Sequence, residues 1–312
     1  NINPVLVAGN DTFVTKRRNP ISNAPSMSYG SMMIDKDRSS DDDCGLLFGE
    51  QHRKRLLEES PALRPFIRRL YGGNEYINNV ERWCLWLVDA PPTILRQSEL
   101  LQKRIATVKK FRESSNRPQT KKLAATPFLF GEIRQPASKY LLIPKVSSDA
   151  RKYIPMGFLS NKDIASGSAL IIPDATIYHF GVLTSAIHNA WLRCVGGRMK
   201  SDPQYSAEIV YNNFPWPKDV PDELKQDVEN AAQAVLDCRE SFFPDACLAD
   251  LYDPLTMPTA LQKAHRKLDR AVDRCYRKRK FNSDRDRLEH LFSLYEKYTS
   301  GESIGPSLWS QE

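Results

Sequence analysis

The apolar residues of this chain change their spacing at residue 217, and that change limits the folds open to it. After Pro215-Trp216-Pro217, the residues Val220, Leu224, Val228, Ala231 and Val235 recur three or four positions apart. So do Leu261, Ala264, Leu268, Ala271 and Cys275, and then Leu288, Leu291, Phe292 and Tyr295. Such spacing puts each set on one helix face, so the last third of the chain should be helices packed on one another. Between 127 and 211 the apolar runs are short, at 128–130, 140–146 and 169–172, and are bounded by Pro, Gly, Ser and Asp. That pattern predicts sheet with long loops. One helix, 180–194, interrupts it, with Phe180, Leu183, Ile187, Ala190, Trp191 and Cys194 on one face and Gly196-Gly197 as its stop.

Upstream, 50–59 and 61–71 read as short helices, the second with Ser60 as N-cap, Pro61 at the first helical position and Gly72-Gly73 as its stop. The stretch 94–115 reads as an amphipathic helix through Leu100, Leu101, Ile105, Val108 and Phe111, followed by an exposed basic loop over 112–122. The acidic knot Asp35, Asp37, Asp41, Asp42 and Asp43 reads as a solvated loop. The expected fold class is α+β: a mixed sheet-and-helix domain over 21–217 and a helical bundle over 218–312, with 1–20 as a lead-in segment. A length of 312 residues suits about two domains.

Composition and motifs exclude several classes of function. The longest apolar stretches, 83–88 and 169–172, fall far short of the roughly 20 residues of a membrane span. The chain begins at Asn1, and 1–10 has neither the basic nor the apolar region of a signal peptide. A piece of a longer cytoplasmic protein is therefore expected. Its six cysteines show neither C-x-x-C spacing nor paired histidines, so no metal site is expected. An amino-methylating enzyme needs a polar residue, two prolines and an aromatic in direct succession. Asp89-Ala90-Pro91-Pro92-Thr93 and Asn213-Phe214-Pro215-Trp216 both fail that order. Glu223-Leu224-Lys225 after Pro221-Asp222 sits in a predicted helix, unlike a metal-dependent nuclease site. His179 and His188, nine apart, are better read as core or surface residues. No catalytic residue and no cofactor site is expected in these 312 residues.

Charge points to an anionic partner. The net charge is +7, and it is concentrated. Residues 101–152 carry thirteen Lys or Arg against three acids, and residues 263–287 carry eleven against four. Two separated basic tracts suit a surface that follows a phosphate backbone. Trp83, Trp86, Trp191 and Trp216 have apolar neighbours and are read as core.

Three stretches carry a resemblance: Arg82-Trp83-Cys84-Leu85-Trp86-Leu87, Tyr153-Ile154-Pro155-Met156-Gly157-Phe158, and Val210-Tyr211-Asn212-Asn213-Phe214-Pro215-Trp216-Pro217. A fourth runs from Leu248-Ala249-Asp250-Leu251-Tyr252-Asp253-Pro254 through Met257-Pro258, Ala264-His265, Leu268-Asp269 and Ala271-Val272-Asp273 to Tyr276. In this order they resemble the MmeI-like (type IIL) restriction-modification enzymes and their methyltransferase-only relatives, specifically the target recognition domain and helical tail. The resemblance implies a double-stranded DNA partner and an adenine methyltransferase domain on the N-terminal side of the same chain. That domain would bind S-adenosylmethionine and an endonuclease could accompany it, while this part would bind no cofactor.

The resemblance also implies where sequence is read. The foremost loop follows the Gly-Arg that ends the long helix, here Gly197-Arg198-Met199-Lys200-Ser201-Asp202-Pro203-Gln204. Lys200, Asp202 and Gln204 alternate and would share one face of an extended loop. Lys donates to guanine, Asp accepts from cytosine and Gln pairs with adenine. The family often carries Arg where Gln204 stands. A second reading segment matches Lys145, Ser147, Ser148 and Arg151, with a partner loop at Ser168. There the family commonly shows Arg at the position of Lys145 and Glu-Arg where Asp149-Ala150 stands. Arg198, Lys109, Lys110, Arg112, Arg117, Lys121 and Lys122 are assigned to phosphates, which supply affinity without sequence information. The rival expectation is an RNA-binding or protein-interaction module that uses the basic helix over 265–280.

Overall fold

The structure is a computed structural model that describes residues 12–35 and 45–300. Asp37, Asp41, Asp42 and Asp43 of the acidic knot and the first part of the lead-in segment lie outside the described residues. In chain order the elements are β1 (Ser28–Tyr29), β2 (Leu47–Phe48), α1 (Glu50–Glu59), β3 (Ile67–Tyr71), α2 (Gly73–Ile77), β4 (Trp83–Leu85), α3 (Pro92–Gln97), α4 (Glu99–Glu113) and α5 (Pro118–Lys122). Then come β5 (Tyr140–Pro144), β6 (Gly157–Leu159), β7 (Ile164–Ala165), β8 (Ala169–Pro173), α6 (Ile177–Thr184), α7 (Ala186–Val195), β9 (Gly197–Met199) and β10 (Asp202–Gln204). Four helices finish the chain: α8 (Asp222–Glu240), α9 (Leu248–Leu251), α10 (Thr259–Tyr276) and α11 (Asp284–Thr299). The class is the α+β one expected. No helix among the described residues is long and apolar enough to cross a membrane.

The chain forms two compact units. The smaller comprises Tyr29–Ser138 and Leu159–Ile171. Its sheet has the order β2-β4-β3-β7, with β3 antiparallel to β4 and parallel to β7. Leu56 of α1, Leu70, Cys84 and Leu85 of the sheet, and Leu101 and Val108 of α4 share its core. Three sequence expectations fail here. Residues 61–71 are a 3-10 turn over Pro61–Phe66 followed by strand β3, because Pro65 cannot continue a helix. Register then pairs Ile67 with Leu85 and Arg69 with Trp83. The helix of 94–115 is two helices, because Ser98 caps α4 by accepting from the Leu101 amide at 3.1 Å. Glu59 reinforces the break by accepting from the Leu100 amide and the Ser98 hydroxyl. Residues 128–130 form no strand.

The larger unit comprises the chain up to Ser28, Lys139–Phe158 and the chain from Ile172 on. Strands β5 and β6 are neighbours in its sheet. Its helices pack α10 on α8, α8 on α6 and α11 on α7. A Cβ at Gly181 would come within 2.8 Å of Val228 Cγ1 and 3.2 Å of Ala232 Cβ, so glycine sets how closely α6 and α8 approach. Trp191 is fully buried and packs on Phe292 at 5.2 Å between centroids, as core rather than platform. The helix read over 180–194 is broken at Ser185, whose ψ of 163° is extended. A new N-terminus forms there because Asp269 of α10 accepts from the Ala186 amide at 2.8 Å. The Asn212-Asn213 pair has a structural task. Asn213 Nδ2 donates to the carbonyls of Thr15, Glu208 and Ile209, and its Oδ1 accepts from Arg17 Nε.

Candidate functional site

The segment after α7 is a tight hairpin rather than an open loop. Strands β9 and β10 pair antiparallel, with Met199 opposite Asp202, Arg198 opposite Pro203 and Gly197 opposite Gln204. Two residues make the turn, Lys200 and Ser201, and Lys200 takes the left-handed φ of +58° that such a turn demands. The chain can turn off the helix because residue 196 is Gly. A Cβ there would stand 2.5 Å from the Leu192 carbonyl oxygen and 3.3 Å from that of Gln204. Arg198, Met199 and Lys200 are exposed, while Asp202 and Gln204 are half-buried on one face of β10.

The base of the hairpin is fixed in the core. Tyr205, directly after β10, is buried, and its amide donates to the Lys145 carbonyl at 2.7 Å. Its hydroxyl lies 2.7 Å from His188 Nε2 on α7. Burial pulls the His188 pKa down to about 3, so the imidazole is neutral at physiological pH. Val146 bridges to Gln204 and the Ser147 amide donates to the Pro203 carbonyl, so the segment from Lys145 runs alongside β10.

Asp149 ties that segment to the hairpin. Its Oδ1 accepts from Arg198 Nη1 at 3.1 Å and from Arg193 Nη1 at 2.9 Å. Its amide donates to Asp202 Oδ1 at 3.0 Å. Arg193 Nη2 also donates to the carbonyls of Asp149 and Arg151, and Arg198 to that of Ser201. The hydrogen bond from Arg198, and then the charge of Arg193, hold the Asp149 carboxyl below its ordinary 3.8. A carboxylate held low adds order that is present above pH 3.8 and is lost as pH falls through the lowered value. Asp149→Asn is therefore expected to speed amide exchange across 147–151 at neutral pH. Global stability should change little, as for other exposed pairs. Equal exchange in both proteins at neutral pH would refute the tie.

The larger unit thus brings together Lys145, Ser147, Ser148, Arg151, Arg198, Lys200, Asp202 and Gln204. Ser147 is buried, 3% exposed, which removes it from contact with a base edge. Ser148 and Arg151 are half-buried. Asp149 and Arg193 were missed as organising residues. The signal available was that Asp149 is one of three acids in the basic tract of 101–152. The remaining candidates belong to the smaller unit. The Ser168 hydroxyl pairs with Ser166 Oγ at 2.8 Å and accepts from the Gly73 amide. Lys109, Lys110, Arg117, Lys121 and Lys122 are exposed.

Arg112 is a correction. It is fully buried at the end of α4, and its guanidinium donates to the carbonyls of Met33, Ile34, Leu123, Thr126 and Leu129 at 2.8–3.0 Å. A side chain spent on five carbonyls is not available to a phosphate. The region beyond it is not an open loop either, since α5 is opened by Pro118 at its first position.

The described residues hold no group of three His, Cys, Asp or Glu suited to a metal. One Gly-rich turn does follow a strand, Gly72-Gly73 after β3, but it is filled. The Gly72 amide donates to Glu75 Oε2, and a Cβ at Gly72 would lie 2.2 Å from Ser168 Oγ. No cofactor cradle exists there.

Comparison with known proteins places this architecture. Residues 8–218 match the family described as MmeI, target recognition domain, and residues 220–302 match MmeI, C-terminal domain. DNA methyltransferase A of Bacillus subtilis (strain 168) is 39% identical over 299 residues, which is 96% of this chain and 33% of that protein. The solved structure of the type IIL restriction-modification enzyme MmeI in complex with DNA superposes with a TM-score of 0.89 at 42% identity. That superposition covers 96% of this chain and 39% of the other. The chain thus spans about a third of the curated relative's length.

Proposed function

Because the chain belongs to the MmeI family, matching its target recognition and C-terminal domains in turn, we propose that it reads a sequence in double-stranded DNA. It would present an adenine to a methyltransferase portion of the same, longer protein. In this reading 1–20 leads in from that portion, 21–217 recognises the target and 218–312 is the helical tail. S-adenosylmethionine would be the methyl donor and would sit in the methyltransferase portion, since the turn at Gly72-Gly73 has no room for it. Flipping the adenine out of the stack would likewise be completed there.

The observation that carries the reading is the projecting hairpin. A turn with Arg198 and Lys200 exposed, braced from behind by Asp149, Arg193 and Tyr205, offers donors on a rigid base. That suits a reader of base edges, because specificity needs side chains fixed before they meet the DNA. Lys145, Ser148, Arg151 and Ser168 would assist at the bases. Arg198 with Lys109, Lys110, Arg117, Lys121 and Lys122 would meet phosphates.

The test is the methylated motif of the protein carrying its methyltransferase portion. Wild type is compared with Lys200→Glu combined with Asp202→Arg, mapped by single-molecule sequencing of modified adenines. The motif is expected to change at one or two adjacent bases, since each side chain paired to a base edge is worth roughly 1–3 kcal/mol of discrimination. Methylation at an unchanged motif would remove the hairpin from sequence reading.

A further inference from the structure

A second charged surface, on the helical tail, is not used by the hairpin. A groove of about 510 Å³ runs between α8 and α10, and the loop 277–280 closes one end. Its lining carries seven Lys or Arg against two Asp. Both acids are already engaged. Asp227 pairs with Arg274 at 2.7 Å, and Asp273 takes both Nε and Nη2 of Arg287, at 3.0 and 2.7 Å. Lys267, Arg270, Arg279 and Lys280 are exposed and make no ion pair among the described residues. Resting on the DNA reading above, we infer that this groove holds the phosphodiester backbone of duplex DNA, outside the bases that the hairpin reads.

Two features favour that occupant. First, the loop is built to keep its cations together. The Arg277 guanidinium stacks on Phe281 at 3.7 Å, pairs with Asp286 at 2.6 Å and donates to the carbonyls of Arg279 and Lys280. Fixing like charges side by side is unfavourable unless an anion answers them. Second, the charge extends beyond the groove as a line. Lys263, Arg266, Arg270 and Arg274 are exposed three or four residues apart along α10, with Lys267 exposed beside Arg266. At 1.5 Å per residue that stripe is about 17 Å long. A free phosphate needs no such line, whereas a duplex carries one negative charge per roughly 1.7 Å of its axis.

The experiment measures binding of a fluorescent 30-base-pair duplex of mixed sequence by the full chain at a series of salt concentrations. Wild type is compared with Lys267→Gln, Arg270→Gln, Arg279→Gln and Lys280→Gln combined. All four side chains are exposed, so the melting temperature serves as a control for folding. The slope of log K against log salt is expected to fall by about 3–4, at roughly 0.9 for each phosphate no longer neutralised. Affinity near 0.1 M salt is expected to fall on the order of 10–100-fold. An unchanged slope and affinity would overturn the groove and leave the hairpin reading intact. Tighter wild-type binding to a structured RNA hairpin, abolished in the same variant, would assign the groove to RNA instead. A wild type that binds no duplex at low salt would sink both readings.

Discussion

Arg112→Ala is expected to cost the smaller unit about 4–5 kcal/mol, at the upper end for a single substitution. The guanidinium supplies five hydrogen bonds to carbonyls drawn from three stretches of chain, 33–34, 123–126 and 129. A hydrogen bond to a charged group contributes roughly 1.5–3 kcal/mol net, and an abandoned buried carbonyl keeps its desolvation cost. These terms are not additive, which is why the expectation stays well below their sum. One acceptor is Ile34, a β-branched residue held at a left-handed φ of +53°. That conformation persists only where the surroundings over-determine it. Arg112→Lys keeps the charge but loses the planar fork, and should recover less than half of the loss. Urea denaturation decides the matter. A change under about 1 kcal/mol would mean the carbonyls find water or other donors, and the structural account of Arg112 would fall.

Asp269→Ala is the second large effect, expected at about 3–4 kcal/mol in the larger unit. Asp269 is 7% exposed and ties α10 to α7 and to the segment at Tyr153. Its Oδ2 accepts from the Tyr153 hydroxyl at 2.6 Å, and its Oδ1 accepts from the Ala186 amide that starts α7. Tyr153 in turn stacks on His265 at 4.1 Å between centroids, and His265 Nε2 meets the Tyr252 hydroxyl at 2.8 Å. Removing the carboxylate leaves two buried donors unpaired and strips the N-terminus of α7 of its anion. Asp269→Asn keeps an acceptor for the Ala186 amide and can meet Tyr153 only by donating Nδ2 to its hydroxyl oxygen, and should cost about 1 kcal/mol at neutral pH.

The pH dependence separates these two variants further. Burial raises the Asp269 pKa above 3.8, against the hydrogen bonds from Tyr153 and Ala186. Between 3.8 and the raised value the unfolded chain loses its proton first, so wild-type stability falls as pH rises through that window. The Asn variant lacks the titration. The gap between wild type and Asp269→Asn should therefore be widest in acid and narrow as pH rises through the window. Parallel stability curves across that range would show that Asp269 does not titrate differently on folding.

Much of the fold was legible because short-range spacing decided it. Helix α1 falls on the residues expected, Glu50–Glu59, and the stripes of Val228, Leu268 and Leu291 lie on buried faces of α8, α10 and α11. Two of the failures also have partners outside the segment concerned. Residues 67–71 became a strand and residue 185 became a helix break through partners far along the chain, Trp83–Leu85 for one and Asp269 for the other. Local propensity is worth a few tenths of a kcal/mol per residue and yields to such tertiary partners.

At the candidate site the residue types were readable, but their tasks were not. The sequence by itself determined the basic tracts, the alternation of Lys200, Asp202 and Gln204 and the helical tail, because these depend on composition and on neighbours within a few positions. Only the tertiary structure decided that Arg112 holds carbonyls, that Ser147 is buried and that Asp149 and Arg193 brace the hairpin. Charge looks the same in a sequence whether solvent or the interior receives it, and the difference is burial, which depends on which distant segments the folded chain brings against the side chain.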